Sequence, residues 1–399
     1  MLRSLAATYR EAFSGLSRPA WLLSLASLIN RSGTMVMPFL VLYLIEKRGF
    51  TATEAGQVLA VYGLAAMPAS YLGGRFCDRL GPVRVMKVSL LLTGLCFLTL
   101  GHLQSRSAIL GMAMVLSLVG EVFRPANLSA LMAASDPGER ARSIALMRLA
   151  VNLGMTLGPT IGGFLAAYDY GWLFLVDGGT AILAALLLHL SFPEVRAAAP
   201  VSPAAAKAAS PFRDPWMVAI GLLMFLLNTV TFQTVSTFPL SLRDLYGFNE
   251  GRIGLALAVN TLIIILFEMV LVHSLARRDP LRVSSIGVVL FCGGLALLPF
   301  GRGFSYVVVT VAIWSLGEML AFPMVTTAIA NRAPEESRGA YMGLLNLAFA
   351  AGFVVAPLVG TWTYQHLGAR TLWLACGGVG LLVGAGFYAV GSSWSRSLR

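Results

Sequence analysis

The chain has 399 residues, of which 57% are hydrophobic and only 12% are charged, and its mean hydropathy is +0.78. Soluble domains carry about 25% charged residues, so this composition excludes an ordinary soluble protein and is typical of a polytopic membrane protein. The net charge of +11 comes from Lys and Arg in short gaps between apolar runs, which argues against a nucleic-acid-binding surface. The cysteines have no spacing typical of a metal site or a disulfide framework, and they are Cys77, Cys96, Cys292 and Cys376.

Twelve apolar runs are long enough to cross a bilayer as a helix, which takes about 20 residues. They are predicted at 19–44, 55–75, 85–104, 108–134, 143–167, 171–192, 215–241, 252–275, 281–300, 304–330, 338–365 and 370–392. With the N-terminus inside, most Lys and Arg lie in the inner connections, so the positive-inside rule places both termini in the cytoplasm. The first span is full-length, which differs from a cleavable signal peptide.

An Ala- and Pro-rich stretch between spans six and seven lacks apolar periodicity and is predicted to be a flexible cytoplasmic linker. The predicted domains are therefore a six-helix half at 1–192, the linker at 193–214 and a second six-helix half at 215–399. The halves repeat with an offset near 198 residues, since Ser117–Glu121 is echoed by Ser315–Glu318 and Gly154–Gly162 by Gly352–Gly360.

Glycines recur every fourth residue in span five, at Gly154, Gly158 and Gly162, and form one stripe of the helix. A stripe without Cβ atoms lets a neighbouring helix backbone approach closely. Pro159 lacks an N–H group and is expected to kink the helix there, and Pro357 is its counterpart in the second half. Simple close packing of helices is the alternative interpretation of the spacing.

The run from Gly154 to Gly163 resembles the antiporter motif in the fifth helix of drug:proton antiporters of the major facilitator superfamily. The run from Gly74 to Gly81, followed by Arg84, resembles that superfamily's signature between helices two and three. The resemblance implies an all-α membrane protein with the major facilitator fold: twelve transmembrane helices in two parallel-repeat halves, with the substrate site between them at mid-membrane.

The same resemblance implies gating roles. Asp78, beside Arg79, would latch the halves on the inner side and stabilise the outward-facing state, with Gly74 and Gly81 permitting tight backbone geometry. The family's basic residue after the second glycine is Pro82 here, and Arg84 is its substitute. Asp136 is a further candidate for this charge cluster. Gly154, Gly158, Pro159, Gly162 and Pro357 would lie on the surfaces where the halves rock. The alternative interpretation is that the charged residues among these are ordinary loop charges in contact with water.

Charged side chains inside the hydrocarbon are costly, so each is a functional candidate. The proton-coupling candidates are Glu121, Glu318 and Glu268. Glu121 and Arg124 are three residues apart and are predicted to share a helix face, either as a self-neutralising packing pair or as a carboxylate whose proton affinity depends on the arginine. Glu318 has no basic residue within one turn, so it is either a proton carrier or a neutral acid with one buried hydrogen bond.

A polar island at Asn30 and Arg31 interrupts span one, and a buried guanidinium needs a partner. That partner is either a protein carboxylate, with Glu268 and Glu318 as candidates, or an anionic group of the substrate. Asn30, Arg31 and Arg124 are therefore the predicted substrate-binding residues. Asp177 is expected to have a structural role, because the sixth helix is usually peripheral in this fold.

These features predict a proton-coupled secondary active transporter, an efflux antiporter of small amphipathic molecules that works by alternating access. It would use the proton gradient without a cofactor or metal, act as a monomer among lipids in the bacterial inner membrane, and bind no nucleic acid. An enzyme is not expected, because no nucleophile–base pair and no phosphate-binding G-x-x-x-x-G-K-[ST] loop occurs. The alternatives are a proton-coupled carrier of an anionic or zwitterionic metabolite, such as a siderophore, amino acid or peptide, and a non-transporting receptor.

Overall fold

A computed structural model describes residues 15–136, 139–192, 210–275, 277–334 and 337–397 of the chain. Within these residues every regular element is a helix, which confirms the all-α membrane fold. The helices before the linker are α1 (Arg18–Ser32), α2 (Val36–Arg48), α3 (Ala52–Leu80), α4 (Pro82–His102), α5 (Arg106–Gly120), α6 (Phe123–Ala134), α7 (Arg140–Tyr168) and α8 (Gly171–Ser191).

The helices after the linker are α9 (Pro215–Thr231), α10 (Gln233–Ser236), α11 (Phe238–Tyr246), α12 (Glu250–Leu275), α13 (Pro280–Ala296), α14 (Phe304–Arg332) and α15 (Arg338–Ser397). Short 3₁₀ turns occupy Pro211–Arg213 and Leu298–Phe300. The predicted linker lies outside the described residues at 193–209. Its end at 210–214 is structured rather than flexible, because Asp214 caps α9 by accepting from the Trp216 N–H at 3.1 Å.

Ten stretches of the described residues are long and apolar enough to cross a membrane. The last, Gly339–Ser393, has 55 residues, and its backbone leaves helical geometry at Gly368, where φ is 84°. A stretch of that length holds two spans. The sequence predicts twelve spans, and the remaining one is α3, which has 29 residues but lies outside the ten apolar stretches. The count of twelve stays a prediction.

Three predicted spans are broken rather than continuous. Span one stops at Ser32 and resumes at Val36, span four stops at Gly120 and resumes at Phe123, and span seven divides into α9, α10 and α11. Pro125 explains the second break, because it has no N–H group for the Glu121 carbonyl. A break within a membrane leaves backbone groups that other parts of the protein must satisfy.

The chain forms two compact units that do not follow the two chain halves. Described residues 15–36 and 64–192 belong to unit 1, and residues 37–63 and 210–397 belong to unit 2. The core of unit 1 is an apolar cluster contributed by α1, α3, α4, α6 and α8, including Leu23, Met86, Phe123, Leu131 and Leu188. Unit 2 has a core with large fully buried side chains such as Phe238, Phe291 and Trp373.

Candidate functional site

The break in span one carries the predicted substrate-binding residues. Asn30 and Arg31 lie half-buried in the last turn of α1. The Thr34 hydroxyl donates to the Arg31 carbonyl at 2.7 Å and so closes the end of the helix. Among the described residues of unit 1, no carboxylate forms a salt bridge with Arg31. The guanidinium therefore keeps its full capacity for hydrogen bonds within its own unit.

Asp177 of α8 holds the other side of this break. Its side chain is buried, with 1% exposure, and accepts hydrogen bonds from the backbone N–H groups of Met35 at 3.0 Å and Val36 at 2.8 Å. These groups begin α2 and have no carbonyl partner in their own helix. The structural role expected for Asp177 is confirmed, and its form is a helix cap supplied by a different helix.

The glycine stripe of α7 packs directly on the break. A Cβ atom on Gly154 would lie 2.6 Å from the Arg31 Cβ, and one on Gly162 would lie 2.7 Å from the Met35 Cβ. At Gly158 the nearest atom would be the Arg31 carbonyl oxygen at 3.2 Å. Carbon atoms in contact are normally about 3.5–4.0 Å apart. The predicted close approach of a neighbouring backbone is thus confirmed, whereas a gating role of the stripe and of Pro159 stays a prediction.

The carboxylate of Glu318 in α14 has a polar partner that the sequence did not reveal. The Asn260 side-chain amide of α12 donates to Glu318 Oε2 at 3.0 Å and to the Ser315 hydroxyl at 2.9 Å. In the part of the chain that the structure describes, no Lys or Arg pairs with Glu318. Glu268, which like Asn260 lies on α12, is close enough for its charge to repel the charge of Glu318. Two predicted proton-coupling residues therefore belong to one cluster, which we call the Glu318 cluster: Asn260, Glu268, Ser315 and Glu318.

Glu121 and Arg124 flank the junction of α5 and α6, and their sharing of one helix face stays a prediction. Glu121 is the residue after the end of α5, whereas Arg124 lies in the first turn of α6 and is exposed. The backbone of Glu121 and Val122 keeps right-handed helical dihedral angles across this junction. Their separate roles in proton coupling and substrate binding stay predictions.

The signature at 74–84 differs from the expected tight turn. α3 continues to Leu80, so Asp78 and Arg79 are exposed residues of its last turn. Gly81 does need its glycine, because its φ is 85°. Gly74 does not, since it is helical and a Cβ there would meet nothing within 4 Å. Arg84 and Asp136 are also exposed. The gating roles of these charges are untested.

The break in span seven is built around Gln233. This side chain is 2% exposed, donates to the Ala356 carbonyl of α15 at 2.8 Å, and accepts from the Thr237 hydroxyl at 2.9 Å. A Cβ on Gly352 would lie 2.6 Å from the Asn228 Cβ, and one on Gly360 would overlap the Gln233 side chain. The second glycine stripe therefore packs on the second break as the first does on the first.

Aromatic side chains surround this second break. The Phe232 ring makes edge-to-face contacts with Phe349 and Phe353, at centroid distances of 4.8 and 4.6 Å. Tyr62 lies 6.2 Å from Phe353. Phe349 is 44% exposed, and the other three rings are partly exposed. These rings, the aromatic cluster, offer an apolar surface to a ligand.

A polar network at the predicted outer face joins elements of unit 2 that are distant in sequence. Arg243 forms salt bridges with Glu46 at 2.6 Å and Asp244 at 2.9 Å, and the Tyr364 hydroxyl donates to Asp244 at 2.9 Å. Burial alone would lower the pKa of Arg243, but the hydrogen bonds and charges of Asp244 and Glu46 raise it. Nothing in the sequence around Arg243 indicates its partner Glu46, which is 197 residues away.

The same outer region contains two further contacts between α3 and α15. The N–H and hydroxyl groups of Thr53 donate to Gln365 Oε1 at 2.9 and 2.8 Å. A Cβ on Gly56 would lie 2.6 Å from the Pro357 carbonyl oxygen, so the helices touch through backbone. We call the contacts of Glu46, Arg243, Asp244, Tyr364, Thr53 and Gln365 the outer network.

At the predicted cytoplasmic edge, Arg332 pairs with Asp214 through two contacts, Nε to Oδ2 at 2.5 Å and Nη2 to Oδ1 at 2.9 Å. Burial pushes the pKa of Asp214 up, but the hydrogen bond and charge of Arg332 outweigh it and lower the pKa.

Throughout the described ranges, no group of three or more His, Cys, Asp or Glu side chains is placed to hold a metal ion.

Comparison with known proteins gives consistent matches along the chain. The family model for the Major Facilitator Superfamily matches residues 20–349 and 222–395. The multidrug resistance protein MdtH of Aeromonas salmonicida (strain A449) is 25% identical over 371 residues, which cover 90% of this chain and 92% of that protein. The uncharacterized MFS-type transporter YqjV of Bacillus subtilis (strain 168) is 26% identical over 361 residues, covering 88% and 87%.

Solved structures match at the level of the fold. The nucleoside transporter NupG has a TM-score of 0.81 at 15% identity, with 94% of this chain and 99% of that chain covered. The peptide transporter POT in complex with sulfate has a TM-score of 0.82 at 16% identity, with 96% of both chains covered. At these identities the likeness shows a shared architecture and not a shared substrate.

Proposed function

The chain belongs to the Major Facilitator Superfamily, and on this premise we propose that it is a proton-coupled antiporter that exports small amphipathic molecules by alternating access. Membership makes it a multi-pass membrane transporter of small molecules. Relatives named for multidrug resistance support export of drug-like substrates, since MdtH proteins of Aeromonas salmonicida and Aeromonas hydrophila both align with about nine-tenths of the chain.

The Glu318 cluster carries the proposal of proton coupling. Glu318 is a membrane carboxylate whose described partners are the neutral Asn260 amide and the nearby Glu268, rather than a cation. A carboxylate in such surroundings binds and releases a proton instead of staying fixed in an ion pair. We assign Glu318 as the main proton carrier, with Glu268 as its neighbour in the same cluster and Glu121 as a separate candidate in unit 1.

The aromatic cluster supports an amphipathic substrate. Its rings are partly exposed at the break in span seven, and apolar or cationic ligands bind well against such surfaces. A substrate that contacts Phe353 also touches α15, which bears the second glycine stripe, and one that contacts Phe232 touches the broken span packed on that stripe. Binding would therefore be linked to movement of those helices.

The outer network supports alternating access. It fastens the outer ends of α2 and α3 to those of α11 and α15 within unit 2. These ends must part before a substrate can leave toward the outside. Exposed ion pairs contribute about 0–1 kcal/mol each, which suits a contact that forms and breaks in every cycle.

We further propose that the protein works as a monomer in the bacterial inner membrane, among lipids, with the proton gradient as its energy source and without a cofactor. The bacterial origin of its MdtH and YqjV relatives supports this location.

A second candidate is a proton-coupled carrier of an anionic or zwitterionic metabolite, such as a siderophore, amino acid or peptide. Arg31 favours it, because the guanidinium has no carboxylate partner within the described part of unit 1. A carboxylate group on a substrate would bind such a guanidinium with two parallel hydrogen bonds.

The test uses purified full-length protein in proteoliposomes that contain a pH-sensitive dye. An imposed proton gradient is combined with tetraphenylphosphonium and ethidium as lipophilic cations, then with dialanine and citrate as a zwitterion and an anion. We expect proton movement on adding a cation and at least a tenfold loss in Glu318→Gln, because the amide cannot carry a proton. Glu250→Gln, at the opposite end of α12 from Glu268, is the matched control and should keep the wild-type rate.

The other outcomes separate the two candidates. Proton movement only with dialanine or citrate, lost in Arg31→Ala, would replace the efflux proposal with the metabolite carrier. An unchanged rate in Glu318→Gln would remove that residue as the proton carrier, and Glu268→Gln and Glu121→Gln would be tested next. Absence of proton movement with all four compounds would contradict both candidates for these substrate classes.

A further inference from the structure

The break in span one requires an anchor that the span itself does not supply. Between the end of α1 at Ser32 and the start of α2 at Val36, the backbone N–H groups of Met35 and Val36 point away from any carbonyl of their own helix. Within a bilayer an unsatisfied backbone group costs several kcal/mol. Whatever satisfies these two groups therefore fixes where the break lies.

Asp177 satisfies both groups with one carboxylate. Oδ1 and Oδ2 both lie 3.0 Å from the Met35 nitrogen, and Oδ2 lies 2.8 Å from the Val36 nitrogen. Val36 is the first residue of a 13-residue helix, so the N–H groups that Asp177 accepts from lie at the positive end of the helix dipole. In the described part of unit 1, no Lys or Arg forms an ion pair with Asp177, so these N–H groups are its partners.

The contact also brings α8 against the backbone of the break. A Cβ on Gly33 would overlap the Thr180 side chain and lie 3.4 Å from the Asp177 Cα. On the opposite side, the stripe of Gly154, Gly158 and Gly162 leaves no room for the segment to shift. The five residues from Arg31 to Met35 are thus enclosed between α7 and α8.

We propose that Asp177 is a positioning residue: by capping α2 it fixes the break in span one and so sets the position of Arg31. Asp177 does not itself need to reach a substrate, since it is buried with 1% exposure and its oxygens are engaged by backbone. It acts through Arg31. The effect on substrate recognition rests on the proposed transport function, whereas the capping itself does not.

The first experiment needs no substrate. Hydrogen–deuterium exchange is measured on full-length protein in nanodiscs for a peptide that contains Met35 and Val36. Asp177→Asn replaces one acceptor oxygen with a donor and keeps the shape, and Asp177→Ala removes both acceptors. We expect exchange of these two amides to rise by about tenfold in Asp177→Asn, because the Asn amide nitrogen is a donor and cannot accept from the Met35 N–H as the carboxyl oxygen does.

Asp169→Asn is the matched control, because Asp169 likewise accepts from a backbone N–H at the start of a helix, that of Gly171 at 2.6 Å, but is exposed. It should leave exchange at Met35 and Val36 unchanged. If Asp177→Ala fails to fold, Asp177→Asn decides. Unchanged exchange at Met35 and Val36 in Asp177→Asn would overturn the proposal, and so would an equal rise at Phe232 and Gln233 in unit 2, which would indicate general loosening.

The second experiment tests action through Arg31. The KM for tetraphenylphosphonium and for dialanine is measured in proteoliposomes for Asp177→Asn, Arg31→Ala and the double variant. We expect the double variant to be no worse than Arg31→Ala, because one residue acts through the other. Additive increases in KM would overturn the proposal. Absence of transport in the wild type would contradict the proposed function instead, while the exchange result would still decide the capping.

Discussion

The two broken spans at equivalent positions of the internal repeat share a geometry but not a chemistry. Asn30 and Asn228 are 198 residues apart, and each lies at a break packed against a glycine stripe. In unit 1 the break is held by a buried carboxylate from another helix, Asp177. In unit 2 it is held by the neutral amide of Gln233, which belongs to the broken span itself.

At the predicted cytoplasmic edge the charged contact lies in unit 2 and the neutral contact lies in unit 1, which is the opposite of the arrangement at the two breaks. The Ser17 hydroxyl at the start of span one donates to the Ala134 carbonyl at 3.2 Å. At the corresponding place in unit 2, Asp214 pairs with Arg332. Each unit therefore joins the start of its first span to the end of its fourth, one with a neutral contact and the other with an ion pair.

The difference teaches that the repeat preserves where the chain bends and where helices touch, while the groups that stabilise those places are exchanged. Burying a carboxylate inside a membrane is costly, whereas an ion pair at the membrane edge is not. In unit 1 the buried carboxyl group of Asp177 lies at the break beside Arg31, whereas in unit 2 the ion pair of Asp214 and Arg332 lies at the membrane edge. That distribution is consistent with a special requirement at the break in span one.

The largest expected effect comes from filling the glycine stripes. Gly154→Val and Gly352→Val each place side-chain atoms where backbone lies within about 3 Å of a Cβ, so each should destabilise its unit by about 1–3 kcal/mol or more. Thermal unfolding in detergent measures the loss. Gly179→Ala and Gly378→Ala, where a Cβ meets nothing within 4 Å, are the controls. Tolerance of either valine would show that the stripe is not a packing surface.

The next effect concerns the neutral anchor of unit 2. Gln233→Leu leaves the Ala356 carbonyl and the Thr237 hydroxyl without their partner, so it should cost about 1–3 kcal/mol of unfolding free energy. Gln104→Leu makes the same change at an exposed site and should be near neutral. A loss in Gln233→Leu no larger than in Gln104→Leu would break the comparison between the two anchors.

The smallest effect depends on pH. Because the pKa of Asp214 is lowered in the folded protein, the stabilisation by its pair with Arg332 is present above about pH 4, the unfolded value, and is lost as pH falls through the folded value. Arg332→Gln should lower stability at pH 7 by about 1–2 kcal/mol and by less at pH 3. Chemical denaturation at the two pH values measures the difference.

Two control variants sharpen this prediction. Ser17→Ala, at the neutral counterpart in unit 1, should cost about 1 kcal/mol equally at both pH values. Arg282→Gln removes an exposed ion pair at 3.8 Å from Asp279 and should have little effect. A pH-independent loss in Arg332→Gln would mean that Arg332 stabilises by packing and not through the Asp214 charge.

The helices and the repeat were predictable because they depend on local patterns. Apolar runs mark the spans, and the four-residue glycine spacing of Gly154, Gly158 and Gly162 indicates close packing wherever the partner lies. Gly81 was predictable for the same reason, since a positive φ is a local requirement. The family followed from two such motifs.

The breaks and the long-range partners were not predictable. A run of apolar residues gives no signal of an interruption, so the breaks at 33–35 and at Phe232 were missed. Pro125 accompanies the break after Glu121, but Pro68, Pro159 and Pro323 lie inside unbroken helices, so a proline alone does not predict a break. The partners Asp177 and Met35, 142 residues apart, or Arg243 and Glu46, depend on tertiary packing that no local pattern encodes.

The division between the units has a consequence for assembly from fragments. Residues 37–63 are encoded in the first half but belong to the unit formed by 210–397. If the chain is cut within 193–209, the first piece holds every described residue of unit 1, whereas the second piece lacks residues 37–63 and is therefore an incomplete unit 2. The second piece would therefore depend on the first for folding, and the two pieces, produced together, would be recovered as one complex.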